Sequence, residues 1–258
     1  TALPLGTIGN PSFELNVAPI GGSVSGAPSY WTSFNQAASG DIGSQAAGGL
    51  DYTIHGPLAA PAAGNQYCYI NMFTTGVTGG IYQDTGALKP NTTYTLTVAI
   101  GSRSDRLNSA GIISLINGTD DTGTVLATGG GLPATRNSWQ DYTVTFTTGA
   151  SVSGDLTVEL SVAGDPTLIQ ADFDNVRLTV GAQAPVLGTA RVAGGNLVLT
   201  GTGGTPNGGY TWLTTTNLTA PIIWTTNSTG TLDATGSFSN SIPIDPSQPA
   251  SFFRLRTP

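Results

Sequence analysis

His55 is the sole histidine and Cys68 the sole cysteine among 258 residues, so Ser–His–Asp or Cys–His catalysis would have to use these positions. No Gly-x-Ser-x-Gly turn is present to present a serine nucleophile. A zinc centre needs at least three good ligands, which one histidine and one cysteine cannot supply without carboxylates. Carboxylates are more numerous, although Glu14 and Glu159 are the only glutamates, and no local pattern marks an acid beside a nucleophile. Asp120-Asp121 lacks the alternating acidic pattern of a calcium loop and reads as a solvated hairpin turn. The Gly201–Gly209 run carries Pro206 where a dinucleotide fingerprint needs its third glycine, so it too reads as a hairpin loop. Sugar C–H faces stack on aromatic rings while hydroxyls need directional partners. Tyr30, Trp31, Tyr52 and Tyr82 are the candidate rings, with Tyr52 and Tyr82 preferred and Arg103 and Asp105 as polar partners. Trp31 and Trp139 read as core residues. With no catalytic set in view, the chain is expected not to be an enzyme.

The elements that would position these residues are strands. Charged residues make up 9% of the chain, against roughly 25% in an average soluble domain, and Lys89 is the only lysine. The deficit falls on the best helix formers, and 36 glycines and 16 prolines punctuate the sequence. Alternation at period two is clear at Tyr94, Leu96, Val98 and Ile100, at Tyr142, Val144 and Phe146, at Leu156, Val158, Leu160 and Val162, and at Val176, Leu178 and Val180. One-sided alternation implies antiparallel sheets with one buried face. A small-residue linker at Gly181–Pro185 precedes a second series of strand-like runs, so a boundary is placed near residue 183. The expected organisation is an arm at residues 1–8, a sandwich at 9–182 and a smaller immunoglobulin-like sandwich at 183–258.

Three stretches carry a resemblance. Gly9-Asn10-Pro11-Ser12-Phe13-Glu14, Trp139-Gln140-Asp141-Tyr142-Thr143-Val144-Thr145-Phe146 and Asp172-Phe173-Asp174-Asn175-Val176-Arg177-Leu178 resemble, in order, the first, middle and last strand motifs of the galactose-binding-like jelly-roll carbohydrate-binding modules. The later segment is similar to short C-terminal β-domains of secreted proteins from environmental bacteria. The resemblance implies an all-β fold, a jelly-roll β-sandwich followed by a smaller Ig-like β-sandwich. It also implies a structural Ca²⁺ held by Glu14 and Asp174, with Asn10 adding an oxygen, since a hard cation takes six to eight oxygen ligands. Its role would be to staple the first and last strands. A carboxylate accepting backbone hydrogen bonds at a strand end is the alternative for Glu14.

The resulting expectation is a non-catalytic extracellular glycan-binding protein whose partner is a polysaccharide or cell-surface glycan. The alternative is a structural subunit of a filament, sheath or surface layer, pairing with copies of itself through the apolar arm Thr1–Ile8; a hydrolase ranks below both. A net charge of −7 excludes nucleic acid and anionic membrane as partners. No run reaches the 18 or so apolar residues of a membrane span. A start at Thr1 without methionine is what removal of an export signal would leave, and the neutral Thr/Ser/Asn/Gly surface fits a secreted protein. Asn-x-Ser/Thr sequons lie at Asn91, Asn117, Asn217 and Asn227, all near turns.

Overall fold

The computed structural model describes residues 6–36, 40–46, 60–104, 107–149, 151–168, 170–181, 185–205 and 207–257. The elements with defined bounds among them are all β-strands, and every strand pairing in their registers is antiparallel. The chain divides into two compact units. The first comprises Thr1–Leu88, Tyr94–Thr147 and Val152–Val180, and the second comprises Lys89–Thr93, Thr148–Ser151 and Gly181–Pro258.

The first unit is a jelly-roll β-sandwich of two sheets. One sheet runs β1 (Ser23–Ser25), β3 (Gly40–Ala46), β4 (Gln66–Met72), β11 (Ala171–Val180), β6 (Thr93–Ser102) and β9 (Ser138–Thr147) in spatial order. The other runs β2 (Thr32–Phe34), β5 (Thr78–Ala87), β10 (Asp155–Ala163), β7 (Gly111–Asn117) and β8 (Thr124–Gly131). The period-two pattern explains the packing. Tyr94, Leu96, Val98 and Ile100 of β6 are wholly buried and face Leu156, Val158, Leu160 and Val162 of β10 in one core. The intervening Thr95 and Thr97 lie on the outer face and pair with Thr145 and Thr143 of β9. Each buried aliphatic side chain contributes about 1.5–3 kcal/mol from removal of apolar surface from water. Trp31 packs in this core against Phe13, with ring centroids 5.7 Å apart, as the sequence implied. Trp139 does not; it lies on the outer face of the six-stranded sheet.

In the second unit, β12 (Val186–Leu187), β14 (Asn196–Thr202) and β13 (Arg191–Ala193) form a sheet that β17 (Phe238–Pro243) joins through β14. A second sheet consists of β16 (Thr225–Thr231), β15 (Gly209–Thr215) and β18 (Phe252–Arg256). Its small core is Trp212, Leu232 and Phe238, with Trp212 edge-on to Phe238 at 5.8 Å.

Phe173 of β11 is wholly buried at the centre of the first core, and the space above Gly111 is filled by its ring. Phe173→Ala is expected to destabilise the first unit by about 3–5 kcal/mol, read from the shift of its urea midpoint at unchanged slope.

Candidate active site

Strand β11 sends Ala171 and Phe173 into the core. Period-two geometry therefore places Asp172 and Asp174 on the opposite, outer face of the six-stranded sheet. Both carboxylates are nevertheless completely buried. A buried carboxylate is tolerable only when hydrogen-bonded, and each is. Gln170 Nε2 donates to Asp172 Oδ1 at 2.6 Å, and Gln170 Oε1 accepts from Arg103 Nη1 at 3.0 Å. The main chain of Gln170 is held in turn by Asn108, whose Nδ2 donates to its carbonyl at 3.2 Å. Arg103, Asn108 and Gln170 are all buried.

Aromatic side chains enclose this face. Asp172 lies opposite Tyr69 of β4 and Gly101 of β6, and Gly101 offers no side chain over the carboxylate. Tyr67 and Tyr69 are buried on the same side of β4, and Tyr67 meets Trp139 edge-on with ring centroids 5.6 Å apart. Two strands, β11 and β6, separate β4 from β9, a span of about 14 Å at normal strand spacing. The two rings therefore reach toward each other across the strands between them. Trp139 Nε1 donates to the Ala60 carbonyl at 2.7 Å, which ties its ring to the chain entering β4. Tyr69 donates to Asp41 Oδ2 at 3.0 Å, and burial raises its pKa above the ordinary phenol value. A Cβ at Gly43 would sit 2.7 Å from the Tyr69 hydroxyl, so glycine at this position keeps that ring in place. Beneath it all, burial first and then the fields of Asp172 and Asp174 push the Cys68 thiol well above its usual range, so it is an inert core residue.

Glu14 and Asp174 meet where the first and last segments of the unit come together. Glu14 Oε1 accepts the N–H groups of Asn65 and Gln66, each at 2.8 Å, and Gly64 at φ 66° lets the chain wrap around it. Asp174 Oδ2 accepts from Ala63 N–H at 2.7 Å and Oδ1 from Asn175 N–H at 2.6 Å. Burial pushes Asp174 up to about 7, and the nearby Glu14 charge adds to the rise. A cation between these like charges would relieve both effects, so the pair fits a calcium ion in its chemistry. Asn10 Oδ1 accepts from Leu15 N–H at 3.2 Å and its Nδ2 donates to the Ser29 carbonyl. Among the described residues no cluster of three or more His, Cys, Asp or Glu side chains forms, so further ligands would have to be backbone or amide oxygens.

The two described candidates for sugar binding, Tyr82 and Arg103, do not converge. Tyr82 of β5 stacks near Phe34 at 6.4 Å on the five-stranded sheet, whereas Arg103 belongs to the Asp172 network on the other sheet. Tyr52, Asp105 and His55 lie outside the described residues. Sequence reasoning missed Asp172, Tyr67, Tyr69 and Gln170. The signal was present in the alternation of Asp172 and Asp174 with two core residues, an acidic stripe in a strand too central to be solvated.

Without metal, Asp174 keeps its proton up to about pH 7 when folded and loses it near its ordinary value of 3.8 when unfolded. The folded chain therefore binds the extra proton between these values. Its contribution to stability is full below about pH 4 and is lost as pH rises through about 7. In chelator, the thermal midpoint is expected to fall between about pH 4 and 7, and Asp174→Asn to flatten that slope. Scanning calorimetry across this range checks both.

Comparison with known proteins places these features. Residues 5–179 match the HpiC1-like family, described as HpiC1 cyclase. Among solved structures, the Stig cyclase Fisc from Fischerella sp. TAU, in complex with (3Z)-3-(1-methyl-2-pyrrolidinylidene)-3H-indole, superposes at a TM-score of 0.58 and 22% identity, covering 71% of this chain and 99% of that one. A cyclase from the same organism in complex with 4-(1H-indol-3-yl)butan-2-one superposes at 0.57 and 22%, with the same coverage. At that identity the likeness establishes the fold. No curated protein matches the chain significantly. These findings correct four expectations: the carbohydrate-binding-module family, the glycan or filament function, the polysaccharide or self partner, and the absence of enzymatic activity. The three motifs misled because they build the frame: Phe13, Val144, Phe173 and Val176 are core residues of the jelly roll, whatever face of it does the work. A search centred on histidine and cysteine also overlooks a site made of carboxylate, amide and aromatic groups. By the match over residues 5–179, the chain belongs to the HpiC1-like cyclase family.

Proposed function

We propose that the chain is a cyclase that closes a ring on an indole-bearing small molecule at the outer face of the six-stranded sheet. The observation that supports this most strongly is a buried carboxylate, Asp172, beside the buried rings of Tyr67 and Tyr69 and the half-buried ring of Trp139. An indole is a large, flat, electron-rich ring, and the edge-on pair Tyr67 and Trp139 provides surfaces of matching size. Ring closure by electrophilic attack on an indole passes through a cation spread over the ring. Aromatic faces stabilise such a cation by about 0.5–2 kcal/mol each where water is excluded. Asp172 supplies the proton that makes the electrophile or takes up the proton released when aromaticity returns, so no redox partner is needed. Gln170 and Arg103 hold its carboxyl in place during that exchange.

Calcium held by Glu14 and Asp174 belongs to the same reading and would brace the segment Ala63–Gln66 against the end of β11. For the second unit we retain a smaller immunoglobulin-like sandwich with a boundary near residue 183. Seven strands in two sheets about Trp212 support it.

A ring closure without a leaving group conserves mass. A panel of indoles bearing alkenyl side chains is therefore expected to yield an isomer of unchanged mass and shifted chromatographic retention. Asp172→Ala is expected to slow its formation by about 10²–10⁴-fold in protein that circular dichroism shows to be folded. If the panel is returned unchanged by the wild-type protein in the presence of calcium, the cyclase reading fails.

A further inference from the structure

We propose that Gln170 and Arg103 are positioning residues that fix which oxygen of Asp172 meets the ligand. The inference rests on the cyclase reading for its ligand but on hydrogen-bond logic for its geometry. A guanidinium can only donate, so the Gln170 atom facing Arg103 Nη1 at 3.0 Å is its carbonyl oxygen. The other end of that amide is then necessarily the NH₂ group, and it donates to Asp172 Oδ1 at 2.6 Å. Oδ1 is thereby an obligate acceptor. Oδ2 is then the oxygen that the relay does not engage. The permanent charge of Arg103 sets the orientation of a neutral amide, and the amide sets the orientation of the carboxyl.

The fixed geometry is reinforced from three sides. Asn108 donates to the Gln170 carbonyl at 3.2 Å, which prevents the segment leading into β11 from rotating. Arg103, Asn108 and Gln170 are each less than a tenth exposed, so water does not compete for these bonds. Asp172 itself is pinned in the ladder between Tyr69 and Gly101. A relay of this kind differs from ordinary burial because each member has one allowed hydrogen-bond polarity.

The polarity can be read and reversed. In Asp172→Asn, Gln170 still donates, so the introduced amide must present its oxygen to Gln170 and its NH₂ to the ligand side. In Asp172→Asn combined with Gln170→Glu, the new carboxylate accepts from Arg103 and demands a donor on its other side, so the introduced amide turns over. The NH₂ resonances of that amide, resolved by ¹⁵N NMR, are expected to shift on adding 4-(1H-indol-3-yl)butan-2-one to the single variant. In the double variant they are expected to move downfield and to be insensitive to the probe. Identical amide resonances in the two proteins would overturn the relay. Different resonances that both ignore the probe would leave the relay standing and count against the cyclase reading. Should Asp172→Asn fail to fold, Gln170→Glu alone decides the matter: the relay predicts at least about tenfold weaker probe binding by the variant at a temperature where it is fully folded, a loss of about 1.4 kcal/mol. Affinity within twofold of wild type in that variant contradicts it.

Discussion

The site depends on burying a carboxylate in the middle of a sheet. Strand β11 must deliver Ala171 and Phe173 to the core, and the same pleat turns Asp172 and Asp174 outward into a space that aromatic side chains close. A carboxylate there is affordable only if hydrogen bonds replace its hydration. That requirement accounts for the Arg103–Gln170 relay at Asp172 and for the wrap of Ala63–Gln66 around Asp174 and Glu14. The first core, in turn, holds β11 at the centre of the sheet between β4 and β6, where both carboxylates are shielded.

The two carboxylates, two residues apart, have different surroundings. Asp174 is held by backbone N–H groups and lies near another acid, an arrangement suited to a fixed positive ion. Asp172 is held by a side-chain amide whose own orientation is set by a guanidinium, with aromatic rings nearby, an arrangement suited to exchanging a proton with a bound organic molecule. Environment, not residue type, separates their roles.

Much of the frame was legible from the sequence. The alternation at Tyr94–Ile100 and Leu156–Val162 marked core strands because a one-sided sheet enforces period two. The three motifs located the ends and middle of the jelly roll because their aromatic and aliphatic residues are its packing. The site was less legible. Tyr67 and Tyr69 sit in a strand beside Cys68 and Ile70, so the run reads as uniformly apolar, and its two faces separate only when the sheet is assembled. Trp139 reads as core because a half-buried indole and a core indole look alike in sequence. Gln170 and Arg103 lie 67 residues apart, and no local pattern announces a contact between them. Jelly-roll motifs describe the scaffold, and a scaffold can carry unrelated functions.

On the proposed reading, the indole-bearing ligand sits on the outer face of the six-stranded sheet. A crystal structure of the chain with 4-(1H-indol-3-yl)butan-2-one tests it most directly. Density for the probe is expected between Tyr67, Tyr69 and Trp139 and in contact with Asp172. Density confined to the five-stranded sheet beside Tyr82, or to the groove of the second unit lined by Leu197, Ile242 and Phe253, would contradict it.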